Sequence, residues 1–133
     1  MTSPFTFPGG SANFIKQNIS ATTATPIVLG QGNGQFNVVW FRCNEYSGGT
    51  PNLTVEIYDV GNAVSYYLGS GGFTWKAKAL TALQSVLFDD GIVIPTGHQL
   101  RVTVSAANNV LVTGLYIGKQ VAATAWTPQA QSR

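Results

Sequence analysis

LFDDGIVIPTGHQLRVTVS, residues 87–105, decides the fold. It reads as a short strand, a turn, a second short strand, a Pro-Thr-Gly turn and a long alternating strand. Leu100, Val102 and Val104 fall on one side of the last strand, and Arg101, Thr103 and Ser105 on the other. A period of two is the pattern of a strand with one wet face. Asp90-Gly91 and Pro95-Thr96-Gly97 supply the turn chemistry between the runs.

The same grammar extends in both directions. Pro26–Leu29 is an apolar run, and the glycine-rich 30–34 follows as a loop. In Gln35–Cys43, Phe36, Val38 and Trp40 alternate with Asn37, Val39 and Phe41. Both sides are apolar at its centre, so a central strand covered on both faces is expected, with Trp40 in mid-core. Leu53, Val55 and Ile57 alternate as the inward face of another strand. Ala63–Leu68 carries the Tyr66-Tyr67 pair. Phe73–Leu80 favours a strand in its first half, while its Ala/Leu/Lys content leaves a short helix open. Ala106–Asn109 reads as a hairpin turn before the last strand, Val110–Gly118, where Gly114 and Gly118 suggest bends or close backbone approach. Eight to ten short runs without a secure helix predict an all-β, single-domain antiparallel β-sandwich, jelly-roll-like in form.

The ends read differently. Residues 1–25 lack a strand pattern, yet hold Phe5, Phe7, Phe14 and Ile15. Disordered segments are poor in aromatics. The expectation is an extended arm lying on its own domain or on a neighbouring subunit. Residues 26–119 form the domain, and 120–133 a tail whose Trp126 docks on a partner.

Charged residues make up 9% of the 133, against roughly 25% in an ordinary soluble domain. Such a surface suits a protein largely covered by other protein. The net charge of +2 is scattered, too little for a nucleic-acid footprint. No run approaches the roughly 20 apolar residues of a membrane span. Thr2-Ser3-Pro4-Phe5 lacks the opening of a signal peptide, so synthesis in the cytoplasm is expected.

Catalytic chemistry finds little material. His98 is the only histidine and Cys43 the only cysteine, which excludes an internal disulfide and a His/Cys zinc shell. A Ser-His-acid triad would need His98 as base, and no nucleophile elbow exists. His98, Asp89 and Asp90 read as turn residues. Glu45 with Glu56 or Asp59 could form a glycosidase pair, but with five acids in the chain coincidence is the better account. No catalytic residue, metal site or cofactor is expected. Tyr66, Tyr67 and Trp75, with Tyr46 and Tyr58, could form a sugar platform or an interface.

The strand Leu53–Ile57, the block Ile94–Val104 and the closing Val110–Gly114, behind an N-terminal arm, resemble small jelly-roll structural proteins of tailed-bacteriophage virions, the capsid decoration or cement proteins. The likeness covers about Val38 to Gly118. It implies a non-enzymatic virion protein, commonly a homotrimer, on the capsid surface. It also implies the major capsid protein as partner, with neighbouring capsid subunits clamped. Phe5, Phe7, Phe14, Ile15 and Trp126 are the expected contacts to capsid or neighbouring subunit. The alternative is a glycan-binding or head–tail or tail-fibre module.

Overall fold

The computed structural model of the chain describes residues 6–7, 10–30 and 34–120. These contain strands and no helix: β1 (Thr6–Phe7), β2 (Gly10–Asn18), β3 (Thr25–Gly30), β4 (Gly34–Glu45), β5 (Asn52–Asp59), β6 (Val64–Tyr67), β7 (Gly69–Ser70), β8 (Phe73–Thr74), β9 (Lys78–Ala79), β10 (Ser85–Phe88), β11 (Ile92–Ile94), β12 (His98–Val104) and β13 (Val110–Gln120). One sheet runs β1-β2-β13-β4-β10, with β11 also on β4. The second runs β3-β12-β5-β6, with β9 on β5, and β7-β8 form a small ribbon. Every strand pair is antiparallel.

The stretch 87–105 behaves as its pattern requires. Leu100, Val102 and Val104 are buried in the middle of the second sheet. Gly91 and Gly97 hold φ of 74° and 82°, the left-handed region that glycine enters without steric cost. From the first sheet Ile15, Val38, Phe41, Cys43, Val86, Phe88, Ile94, Val110 and Val112 meet Val28, Leu53, Val55 and the β12 valines of the second. The rings of Phe41 and Phe88 stack at 4.5 Å. The chain is a single-domain, jelly-roll-like antiparallel β-sandwich, with β3, β4, β5, β12 and β13 stepping from one sheet to the other.

Several elements differ from the sequence expectation. Ala106–Asn109 is a crossover between sheets, not a hairpin, because β13 pairs with β2 and β4 while β12 pairs with β3 and β5. In β4 the register against β13 slips between Leu115 and Tyr116: Leu115 faces Trp40 and Tyr116 faces Val38. This is a β-bulge, in which one extra residue sits on the longer strand. Val38 and Phe41, three apart, therefore both point inward, and Val39 and Trp40 are turned out. β4 is covered on one face only, and Trp40 is half-buried on the outer one. The central tryptophan is Trp75, 2% exposed. Its segment is neither helix nor continuous strand: the Trp75 N–H donates to the Leu68 carbonyl, and its own carbonyl accepts from the Val55 N–H.

Residues 1–25, read without a strand, contain β2, which pairs along β13 from Ala12 to Asn18. From Gly10 to Asn18 the expected arm is a strand of the first sheet, with Ile15 in the core. Ile19 closes it, donating from its N–H to the Val110 carbonyl and accepting from the Asn108 N–H.

Cys43 lies within this core, and burial pushes its thiol up to about 12. Thiolate is the reactive species. In the folded protein Cys43 is expected to resist a disulfide reagent at pH 8, and one thiol is expected to appear in concentrated guanidinium. Fast native-state labelling would contradict its place between the sheets.

Candidate interaction surface

The register of the first sheet sets out its outer face row by row. Phe14 on β2 stands beside Leu115 on β13, and Leu115 beside Trp40 on β4. The next row on one side is Ala12, Ile117, Asn37 and Val93, and on the other Lys16, Thr113, Arg42 and Leu87. Phe14 is 86% exposed, and Val39, Leu87 and Val93 are also exposed. No aspartate or glutamate occurs in these rows. These rows mix apolar side chains with the polar Asn37 and Thr113 and two cations, Lys16 and Arg42.

The outer face of the second sheet is polar and internally paired. Arg101 Nη2 donates to Glu56 Oε2 at 3.3 Å, and its guanidinium lies 3.6 Å from the centre of the Tyr58 ring. Lys76 Nζ sits 4.9 Å over Tyr67. These contacts occupy the charges of that face.

The expected site residues scatter. Phe14 is on the outer face of the first sheet, but Ile15, the next residue, points inward and is buried in the core. Adjacent strand residues take opposite faces, so Ile15 offers no contact to a partner. Phe7 belongs to β1, paired with Gly10; its side chain, Phe5 and Trp126 lie outside the described residues. Trp75 is buried and gives Nε1–H to the Ser70 carbonyl at 3.2 Å, so it presents no face to a sugar. Tyr66 pairs opposite Ile57 and Tyr67 opposite Glu56, which puts the two exposed rings on opposite faces of the edge strand.

The acids and His98 are bound up in structure. His98 Nε2 lies 3.7 Å from Asp59 Oδ2, and Nδ1 is 3.1 Å from the Thr96 carbonyl oxygen. Asp59, rather than Asp89 or Asp90, is its acidic neighbour. The hydrogen bond from the Asn62 side chain is the main cause that lowers the Asp59 pKa, with His98 adding to it. No group of three His, Cys, Asp or Glu among the described residues could hold a metal ion.

Glu45 was not legible as a structural centre. Its carboxylate accepts from the backbone N–H groups of Ser47, Gly48, Gly49 and Leu83, and from the Ser47 hydroxyl. It ties the 47–49 loop and the turn before β10 to the end of β4. Burial pushes this carboxyl up, but the hydrogen bonds from Ser47, Leu83, Gly48 and Gly49 outweigh it and hold the pKa at about 2. A carboxyl whose folded pKa lies below its unfolded value near 4.5 stabilises the fold above that value. The contribution is lost as pH falls toward 2. Urea midpoints are expected to fall through this window and to fall less steeply in Glu45→Gln, which is already weakened at pH 7. Parallel acid slopes for the two proteins would refute the assignment.

No family model matches the chain, and no curated protein does. Among solved structures it is similar to a chain of the extra small virus particle of the giant freshwater prawn Macrobrachium rosenbergii. The identity is 14% and the TM-score 0.39, over 89% of this chain and 84% of that one. It is also similar to a chain of the cyanophage Pam1 capsid asymmetric unit, at 15% identity and a TM-score of 0.38, over 91% of this chain and 92% of that one.

Proposed function

We propose that this chain is a non-enzymatic structural protein of a bacteriophage virion. It is a decoration or cement protein that assembles as a homotrimer on the capsid surface and clamps neighbouring major capsid subunits. The carboxylate-free outer face of the first sheet, with its Phe14, Leu115 and Trp40 row, carries the reading. An aromatic and aliphatic strip, exposed at Phe14 and half-buried at Leu115 and Trp40, in a protein with 9% charged residues suits a surface that is covered by protein. The jelly-roll-like body and the resemblance of Ile94–Val104 point the same way. Linked copies on one symmetry axis bind far more tightly than one, because later contacts form at high effective concentration. Phe5, Phe7 and Trp126 are the proposed anchors at the two ends of the chain. No observation favours the glycan-binding alternative, since Trp75 is buried and Tyr66 and Tyr67 face apart.

Mass spectrometry of gradient-purified virions from the culture that makes this protein is expected to find it in fixed proportion to the major shell protein. Absence from the particles overturns the reading. Because β2 is part of the sheet, the informative truncation removes residues 1–9 alone. It is expected to leave the fold intact and lower attachment to stripped particles about tenfold or more. Full occupancy by the truncated chain would remove Phe5 and Phe7 from the contact.

A further inference from the structure

Six of the ten charged side chains that the structure describes are held by contacts within the chain. Glu45 is held by its loop, Glu56 by Arg101, and Asp59 by Asn62 and His98. Lys76 and Lys78 lie over aromatic rings. Of those ten this leaves two exposed acids, Asp89 and Asp90, and two exposed cations, Lys16 and Arg42. The acids stand together in the turn from β10 to β11, on the far side of β4. Lys16 stands on β2, near the opposite edge of the same sheet.

Each charge has an apolar companion. Phe14 and Lys16 are two apart on one strand and point outward together, roughly 7 Å from each other. Phe14 has almost its whole ring in solvent. Asp89 and Asp90 rim a cleft of about 320 Å³ lined also by Leu68, Ser70, Leu87 and Ile92. One edge of the sheet thus carries an aromatic knob beside a cation. The other carries a cleft, polar over more of its lining than apolar but walled by Leu68, Leu87 and Ile92, beside two carboxylates. Knob and cleft are separated by β13 and β4, so neither reaches the other within one molecule.

We propose that a second copy of this chain fills the cleft. Phe14 of one copy seats between the 69–71 turn and the Leu87–Ile92 segment of the next, with its Lys16 beside Asp89 and Asp90. A knob and a cleft on different parts of one surface make a head-to-tail contact, which closes into a ring when the rotation permits. The inference rests on the self-assembly proposed above and names its contact. The Phe14 ring would leave water, and the cation at its side would fix the register of the contact.

Analytical ultracentrifugation of the full chain tests it. The wild type is expected to sediment at three times the 14.1 kDa of one chain. Phe14→Ala, Lys16→Glu and the pair Asp89→Lys/Asp90→Lys are each expected to shift it to monomer, with dissociation constants about tenfold higher or more. All three sites are exposed, so the variants are expected to fold, which circular dichroism checks. Lys16→Glu combined with Asp89→Lys/Asp90→Lys is expected to restore the wild-type mass, which only a direct contact does. A wild-type oligomer indifferent to all three changes overturns the knob-and-cleft contact while leaving self-assembly standing. A wild type that is monomeric at every concentration overturns self-assembly as well, and the virion measurement above still tests attachment by itself.

Discussion

Replacing Trp75 with alanine is expected to remove about 3–5 kcal/mol of stability, the range for emptying a buried aromatic site. The whole folding free energy of a domain is about 5–15 kcal/mol, so the variant stands near the edge of folding. The site cannot collapse easily. The Trp75 backbone is fixed on both sides, to Leu68 and to Val55, and the indole N–H is fixed to Ser70. The alanine would leave that indole volume as a void and the Ser70 carbonyl without its donor. Urea unfolding should show a much lower midpoint with an unchanged slope, and melting should fall by about 10–20 °C for a chain of this size. Tyr67→Ala, at an exposed ring on the edge strand, is the control, expected to cost less than about 1 kcal/mol. A Trp75→Ala loss no larger than the control would mean that the ring does not fill the core.

Trp75 also marks where sequence reading ends. Its neighbours Phe73, Ala77 and Ala79 suggest a strand, and nothing local says that the chain folds back across β5 to bury this ring. The β12 stretch is legible because its burial follows a period of two and its glycines sit where positive φ is needed. β4 is not, because the bulge at Val39 and Trp40 shifts the inward phase by one residue, and only the partner strand makes that shift visible. Reading straight through the bulge keeps Trp40 on the face of Val38 and Phe41 on the other, whereas the structure turns Phe41 in with Val38 and Trp40 out. Ile15 was assigned to the arm instead of the core for a related reason: a segment with Gly and Ser before it and one alternation of Phe14 with Ile15 carries too short a pattern to separate a strand from an arm. Of the proposed interaction surface, Phe14 stood out in the sequence as an aromatic out of place. Its company with Leu115 and Trp40 was not, since it arises from pairing between strands far apart in sequence. Glu45 gave no signal because its partners are backbone N–H groups, which every sequence has.

Gly114 shows the bulge from the other strand, and Gly114→Val is expected to cost about 3 kcal/mol, at the upper end of the overpacking range. A Cβ added there would stand 2.5 Å from the Trp40 carbonyl oxygen, 2.8 Å from Phe41 Cβ and 2.9 Å from Phe41 Cα. Two of those atoms are backbone, so no rotamer change relieves the clash; β4 and β13 must separate or the register must move. Separation breaks the pairing on which the first sheet is built. A one-residue slip would turn Val110 and Val112 outward. Either response also displaces Leu115 and Trp40, whose outward row depends on the bulge. The variant should therefore lose stability and weaken partner attachment together. Gly118→Ala separates the two effects. Its Cβ would meet only the Phe36 ring, at 2.7 Å, a side chain able to shift. It is expected to cost less than Gly114→Val and to leave the Phe14, Leu115 and Trp40 row in place. Equal losses in the two variants would mean that the backbone approach at Gly114 is not what sets the register.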